Sequence, residues 1–451
     1  MTNNKSSVGV LGAGITGLCA AYKLSRNGVD VTVYEKRDMA GGSIRTVQTG
    51  DWLTEHGPNT LMVRTEKVWD LIDELDLNSK MMEANREARK RFIVRNGVPK
   101  PLPMSLWDFI STDLFSASAK FRLFKEPFIR GIEKDDESIA AFMKRRFGKE
   151  VVDYAINPFV AGIYAGDPEK LSIKHTFNKL FKLEQNYGSI TKGMLKSDRK
   201  SSARKALISF EGGLNALTQK LSKKLGNSLK LNHSISQIQY SNNKWQLQFD
   251  DHDRAEHDLI ISCLPAHALS YVMQEVLAAP FTEKLKDIPY APMSIIHLGY
   301  KKDQVQHALD GFGLLVPEVE DFKILGTLFS SSLFPGRAPE DHALLTTFIG
   351  GSRYPELAHL EKDDLIEKVQ HELDRLLGIS GTPVFTDHTY WKNAIPQYEV
   401  DYDTFLDTMK MIESNFPSLF ITGNIRGGVS VPDCITNGIE TAEKAVSLLK
   451  G

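Results

Sequence analysis

Three glycines, Gly12, Gly14 and Gly17, fall at the spacing G-x-G-x-x-G within VGVLGAGITGLCAAYKL at 8–24. Pyrophosphate binding needs backbone that bare: the first glycine permits a tight turn, the second lets the main chain approach the phosphates, and the third packs a helix on a strand. The N–H groups that open the helix add a partial positive charge. Glu35 ends the next strand, where a carboxylate accepts ribose hydroxyls. Alone, the spacing also describes any tight strand-to-helix turn; the strand before it, the helix after it and the acid behind it favour a bound dinucleotide. Two further bare loops, MAGGSIRT at 39–46 and ITGNIRGGVSVPDCITNG at 421–438, point to FAD rather than NAD. Gly41 and Gly42 bring a second turn to the same switch point, with Arg45 in reach of phosphate or flavin. The helix after the late turn would set its positive end against a reduced flavin.

No side chain announces itself as an acid, base or nucleophile. The histidines are scattered, and DDHD at 250–253 reads as a hairpin tip rather than a metal site. Cys19, Cys263 and Cys434 lie far apart without paired spacing, which predicts no metal cluster and a reducing compartment.

Secondary-structure elements must hold these loops in place. Val8 to Leu11 reads as a short strand, Leu18 to Leu24 as a helix, Asn27-Gly28 as a turn, and Val29 to Glu35 as a second strand through its alternating valines: one βαβ opening. A matching piece comes late, with a strand at Leu419 to Thr422, a turn at 423–430 and a helix from Cys434 to Leu449. Lys230 to Phe249 alternates like a β-meander, and HDLIISCLP at 257–265 is an apolar strand that ends before a proline. Pro103 to Lys182 is helical in pattern and dense in Phe, whereas strand signals return between Ile288 and Tyr390, as in MSIIHLGY and HALLTTFIG. The basic KSDRKSSARK at 196–205 reads as a solvated loop.

A chain of 451 residues holds two or three domains, and its 41% hydrophobic and 25% charged residues are the balance of a globular protein. A net charge of −2 leaves no cationic excess for nucleic acid. With no run of about eighteen apolar residues, no membrane-spanning helix is expected. MTNNKSSVGV enters the first strand too early for a signal peptide, so the expectation is a cytoplasmic chain.

The segments FVAGIYAGDPEKLS at 159–172 and LGTLFSSSLFPGRAP at 325–339 answer to no general demand of a fold. Together with GAGITGL, AGGSIRT, EHGPNT at 55–60, RFIVRNGVP at 91–99, GFGLLVP at 311–317 and TTFIGG at 346–351, they resemble oxygen-dependent protoporphyrinogen oxidases from end to end. The resemblance implies an α/β (α+β) fold similar to the flavin amine oxidases. A discontinuous Rossmann-like FAD domain would occupy 1–81, 206–278 and 412–451, and a mixed-sheet substrate domain 82–104, 186–205 and 279–411. A helical membrane-associating domain would be inserted at 105–185. It also implies noncovalent FAD, a six-electron oxidation of a porphyrinogen, and O2 as the acceptor that gives H2O2; a homodimer is compatible with it.

By the same resemblance, cofactor contacts fall on Gly12, Ala13, Gly14, Ile15, Thr16 and Gly17, on Glu35, Gly42 and Arg45, on Gly57, Pro58, Asn59 and Thr60, on Ile235, and on Asn424, Val429, Ser430 and Val431. The family often has Ala where this chain has Asn424. For the substrate, Arg91 corresponds to a propionate anchor, since a guanidinium grips a carboxylate through two parallel hydrogen bonds; spacing alone would make it a surface arginine in REARKR. Leu315, Leu328 and Phe348 correspond to residues that sandwich a pyrrole ring, Gly162 to a backbone site lining the slot, and Asn59 to a polar group beside flavin and substrate. No catalytic base is assigned, because the flavin does the chemistry while the protein positions and desolvates.

Three rivals share parts of the pattern. The coproporphyrinogen-oxidising branch takes a substrate with four carboxylates, for which Arg95 or Lys100 would add cations. An amine or carotenoid-type flavin oxidoreductase would share the glycine loops but not FVAGIYAGDP. A non-catalytic FAD-binding assembly protein would hold flavin that substrate does not bleach. Within SLWDFISTDLFSASAKFRLFKEPFIR at 105–130, Trp and Phe interleave with Lys and Arg, and residues 85–130 hold ten basic against four acidic side chains. That bias suits an anionic lipid surface, and the same aromatics would equally fill a helical core.

Overall fold

The computed structural model describes residues 6–132, 134–196 and 204–450, so most of KSDRKSSARK lies outside the described residues. The first apolar run forms the strand Ser7–Leu11, and the glycine turn leads directly into the helix Ile15–Arg26. That strand is central in a five-stranded parallel sheet with the order Leu229–Lys230, Asp30–Tyr34, Ser7–Leu11, Leu259–Ser262, Leu419–Ile421. Strands covered on both faces are apolar throughout rather than alternating, and Leu259–Ser262 is buried at every position. The long helix Val431–Lys450 lies along Ile15–Arg26, and Gly438 sets how closely: a Cβ there would stand 2.4 Å from the Thr16 carbonyl oxygen.

The stretch that alternates like a meander divides between two sheets. Its start, Leu229–Lys230, joins the parallel sheet, while Ile235–Ser241, Lys244–Phe249 and Arg254–His257 make a separate antiparallel sheet. DDHD is the tip between the last two, closed by the Phe249 N–H on the Asp253 carbonyl at 3.0 Å.

A mixed seven-stranded sheet forms the second half. Its order is Phe385–Pro396, Tyr290–Lys301, His342–Gly350, Ile324–Phe329, Gly311–Leu315, Lys90–Arg95, Val98–Pro101. One face packs on the helix Lys362–Leu377, whose Leu365, Val369, Leu373 and Leu376 recur at helical spacing; the strand-rich reading of 288–390 missed this helix. Over the other face lies the Phe-rich block, with helices at Leu106–Ser111, Ala117–Lys125, Ile139–Phe147, Asn157–Tyr164 and Asn178–Tyr187. Arg146 anchors that block, fully buried against Glu126 and Glu184.

Candidate functional site

Bare loops meet at the start of the first helix. Gly12 has a φ of +94° and donates its N–H to the Tyr34 carbonyl at 2.8 Å, which fastens the turn to the neighbouring strand. At Gly17 a Cβ would lie 2.0 Å from the Gly12 carbonyl oxygen, so helix and turn close on each other only with glycine. At Gly14 a Cβ would meet nothing within 4 Å. No side chain caps this helix start and no acid stands in its first turn. Uncapped N–H groups therefore open onto free space, as a diphosphate requires. Glu35 is buried and its carboxylate accepts the Ala13 N–H at 2.9 Å and the Arg37 N–H at 3.1 Å. The acid thus braces the turn itself.

Two more loops layer onto this turn. Gly41 forms a β-bridge with Gly14, and a Cβ at Gly42 would lie 3.1 Å from the Gly14 Cα. A Cβ at Gly57 would lie 1.9 Å from the Ser43 carbonyl oxygen. Ala13, Ile15 and Thr16 are buried in the first layer; Pro58, Asn59 and Thr60 are half-buried in the third, and the Arg45 side chain is exposed. The Asn59 amide donates to the Gly57 carbonyl at 3.0 Å. Ile235 and Val429 pack against one cluster that includes Tyr34. Asn424 takes the Tyr398 hydroxyl on its carbonyl at 2.7 Å. The late turn departs from expectation: Ser430 donates to the Asp433 carboxylate at 2.5 Å and accepts the Asp433 N–H at 3.3 Å. The helix that begins at Val431 is thus capped and carries an acid, which offsets the positive end expected there.

Strand register gathers the substrate candidates. Leu328 pairs with Gly313 and with Thr346, while Gly326 pairs with Leu315 and with Phe348. Side chains two apart share a face, so Leu315, Leu328 and Phe348 stand on one side of the sheet and Gly326 leaves a gap between the first and the last. Gly162, on the helix Asn157–Tyr164, closes over Leu315: a Cβ would lie 2.7 Å from its Cδ2. Arg91 pairs with Gly313, which puts it in the row of Leu328. Its side chain is exposed, with the guanidinium 5.3 Å from the centre of the Phe312 ring. Asn59 and Leu328 line a cavity of about 10 Å³ with Thr60, Ser330 and Thr346.

The neighbouring cations are spoken for. Arg95 pairs with Glu150 at 2.8 Å and lies over the Tyr154 ring at 4.3 Å; Lys100 pairs with Asp113 at 2.6 Å.

Sequence reading missed the side chains that clamp EHGPNT to the large sheet. Glu55 pairs with Arg337 at 3.1 Å, both buried, and Arg337 also donates to the Ser209 hydroxyl at 2.6 Å. His56 lies 2.6 Å from Asp387 through Nε2 and 2.6 Å from the Thr389 hydroxyl through Nδ1, while its carbonyl accepts the Trp391 indole N–H at 2.6 Å. Burial alone would raise the Asp387 carboxyl, but the hydrogen bond and charge of His56 hold it well below the usual carboxylate range. No local spacing signals these pairs, because each partner lies hundreds of residues away.

The family model of flavin containing amine oxidoreductases matches residues 15–446. The chain belongs to that family. Protoporphyrinogen oxidase 2, chloroplastic/mitochondrial, of Arabidopsis thaliana is 36% identical over 98% of this chain and 94% of its own length. Coproporphyrinogen III oxidase of Bacillus subtilis (strain 168) is 28% identical over 100% of both chains. A solved structure from Exiguobacterium sp. 255-15 superposes with a TM-score of 0.85 at 23% identity, covering 99% of this chain and 100% of that one, which is a likeness of fold. As a family member the chain is a flavin-containing oxidoreductase, and its cofactor is FAD.

Proposed function

We propose that this flavoenzyme oxidises protoporphyrinogen IX to protoporphyrin IX in the cytoplasm, with FAD as electron carrier and O2 as acceptor. The observation that carries the reading is the sheet face on which Leu315, Leu328 and Phe348 share one side, with Arg91 exposed in the row of Leu328. A porphyrinogen is a mostly apolar macrocycle with its propionates on one side, so an apolar face bounded by one unneutralised cation suits it. Among the described residues Arg91 has no acidic partner, whereas Arg95 and Lys100 each have one. That contrast favours two propionates over four carboxylates. The full-length likeness to a coproporphyrinogen III oxidase keeps the four-carboxylate substrate as the second reading.

When bound, FAD supplies the hydride acceptor. The chain's own work is to hold and dry the substrate: the apolar trio excludes water from the ring, Gly162 leaves room for it, Arg91 fixes a propionate, and Asn59 orients the edge near the flavin. Protoporphyrinogen added without oxygen should bleach the flavin, air should restore the colour, and coproporphyrinogen should turn over more slowly. Arg91→Ala removes a charge-assisted contact worth about 1.5–3 kcal/mol, so KM for protoporphyrinogen should rise on the order of 10–100-fold with little change in kcat. A flavin that neither porphyrinogen bleaches would sink the proposal; a preference for coproporphyrinogen would hand it to the second reading.

The proposal places the reaction at a membrane surface. No helix among the described residues is long and apolar enough to cross a membrane. Phe115 packs inward, but Phe128 is 86% and Trp107 79% exposed, with Phe121, Phe124 and Met104 also outward beside Lys125 and Arg130. A patch of that kind marks a contact surface. Two aromatics of this size account for on the order of 3 kcal/mol of apolar burial, so Trp107→Ser with Phe128→Ser should cut binding to anionic vesicles about 100-fold in a flotation assay. Parent protein that stays wholly in the soluble fraction at low salt would refute the surface assignment.

A further inference from the structure

His56, His297 and Asp387 form a polar cluster for which the proposed oxidation has no use. They come from the EHGPNT loop and from the neighbouring strands Tyr290–Lys301 and Phe385–Pro396, where His297 pairs directly with Asp387. One ligand-capable atom of each lies within 4.8 Å of the others. His56 and His297 are buried, and their rings stack at 5.5 Å with 20° between planes. Asp387 keeps 24% of its side chain open to solvent, so the cluster has an entry path.

The outward hydrogen bonds decide what the cluster is for. His56 spends Nδ1 on Thr389 at 2.6 Å, His297 spends Nδ1 on Thr346 at 3.0 Å, and the second Asp387 oxygen accepts the His388 N–H at 2.8 Å. Each potential ligand is thus oriented from behind, the pattern in which a supporting partner fixes the tautomer of a metal-binding imidazole. The inward atoms are His56 Nε2, one Asp387 oxygen and His297 Nε2. His297 Nε2 is buried without any hydrogen-bond partner. A fully buried imidazole nitrogen left unpaired is a cost that native proteins seldom carry without a reason.

We propose that His56, His297 and Asp387 bind a divalent transition-metal ion of the zinc class. Two imidazoles and a carboxylate are a nitrogen-rich donor set that suits zinc, whereas calcium and magnesium call for oxygen throughout. Thr54, whose hydroxyl lies 3.0 Å from Asp387, or a water completes the shell. Metal bonds of about 2.0–2.1 Å set neighbouring ligands roughly 3.3 Å apart. The ion therefore replaces the proton between His56 and Asp387, releases it to solvent, and parts the two side chains by less than 1 Å from their present 2.6 Å. The consequence is a cross-link between the EHGPNT loop and the large sheet, independent of which porphyrinogen is the substrate. It also amends the expectation of no metal: ligands drawn from positions 56, 297 and 387 leave no spacing to recognise.

Untagged, FAD-loaded protein stripped with EDTA and titrated with Zn²⁺ should take up one equivalent per chain, retain it through gel filtration, and unfold a few degrees higher. His297→Gln should weaken zinc binding at least tenfold with FAD content unchanged, while His252→Ala at the hairpin tip should leave it unchanged. X-ray absorption at the zinc edge of the parent should report two imidazoles, and it decides the matter even where the variant fails to fold. Less than a tenth of an equivalent, full binding by His297→Gln, loss of binding in His252→Ala, or a shell without imidazole would each overturn the site and leave three hydrogen-bonded side chains.

Discussion

Gly17→Val should yield a chain that purifies without flavin and unfolds well below the parent. The first branch point of the new side chain would sit 2.0 Å from the Gly12 carbonyl oxygen, a contact between backbone-fixed atoms that no rotamer relieves. Overpacking that side chains absorb costs about 1–3 kcal/mol; here the helix Ile15–Arg26 must lift off its turn, so the penalty exceeds that range. If this turn aligns the helix N-terminus with the diphosphate, as its glycine spacing suggests, cofactor and stability should be lost together. Gly14→Ala separates the two effects. Its Cβ meets no protein atom within 4 Å and its φ of −67° is ordinary for alanine. The apo-protein should keep the parent's melting temperature while FAD binding weakens, because the methyl group occupies space meant for phosphate. Equal melting losses in both variants would show that the open space at Gly14 is not the cofactor's.

Arg337→Met should cost about 3–5 kcal/mol of stability, read as a shift in the denaturation midpoint with flavin bound. Burial pushes the Glu55 carboxyl up and the Arg337 guanidinium down, so desolvation outweighs their mutual attraction, and each is tolerated only because of the other. Glu55 also accepts the Leu214 N–H at 2.9 Å and the Thr46 hydroxyl at 2.7 Å, so the lone carboxylate cannot swing out to water without unmaking the loop. Glu55→Gln combined with Arg337→Met should regain a large part of the loss, since a neutral amide no longer needs the guanidinium. A double variant no more stable than the single one would show that Arg337 acts through packing alone.

What could be read from the chain divides by the distance over which a signal acts. The glycine turn, its strand and its helix were legible, because spacing within a dozen residues is set by local sterics. The helix Lys362–Leu377 carried an equally clear pattern in Leu365, Val369, Leu373 and Leu376, and was passed over because strands crowd both sides of it. Leu229–Lys230 is too short to have a period, so its place in the parallel sheet depends wholly on its neighbour Val33–Tyr34. Register was out of reach for a different reason: that Gly326 separates Leu315 from Phe348 follows from pairing among three strands, to which no single stretch testifies. Aromatic residues at 105–130 showed what the segment contains but not which way it faces, and the structure sends Phe115 in and Phe128 out.

The parallel sheet has a consequence for synthesis on the ribosome. Its edge strand Leu419–Ile421, and the helix Val431–Lys450 that covers Ile15–Arg26, come hundreds of residues after Ser7–Leu11, yet they complete the sheet and the cover that begin there. Until those residues emerge, the nascent polypeptide leaves the apolar flank of its first helix uncovered, the kind of transiently exposed surface that chaperones bind.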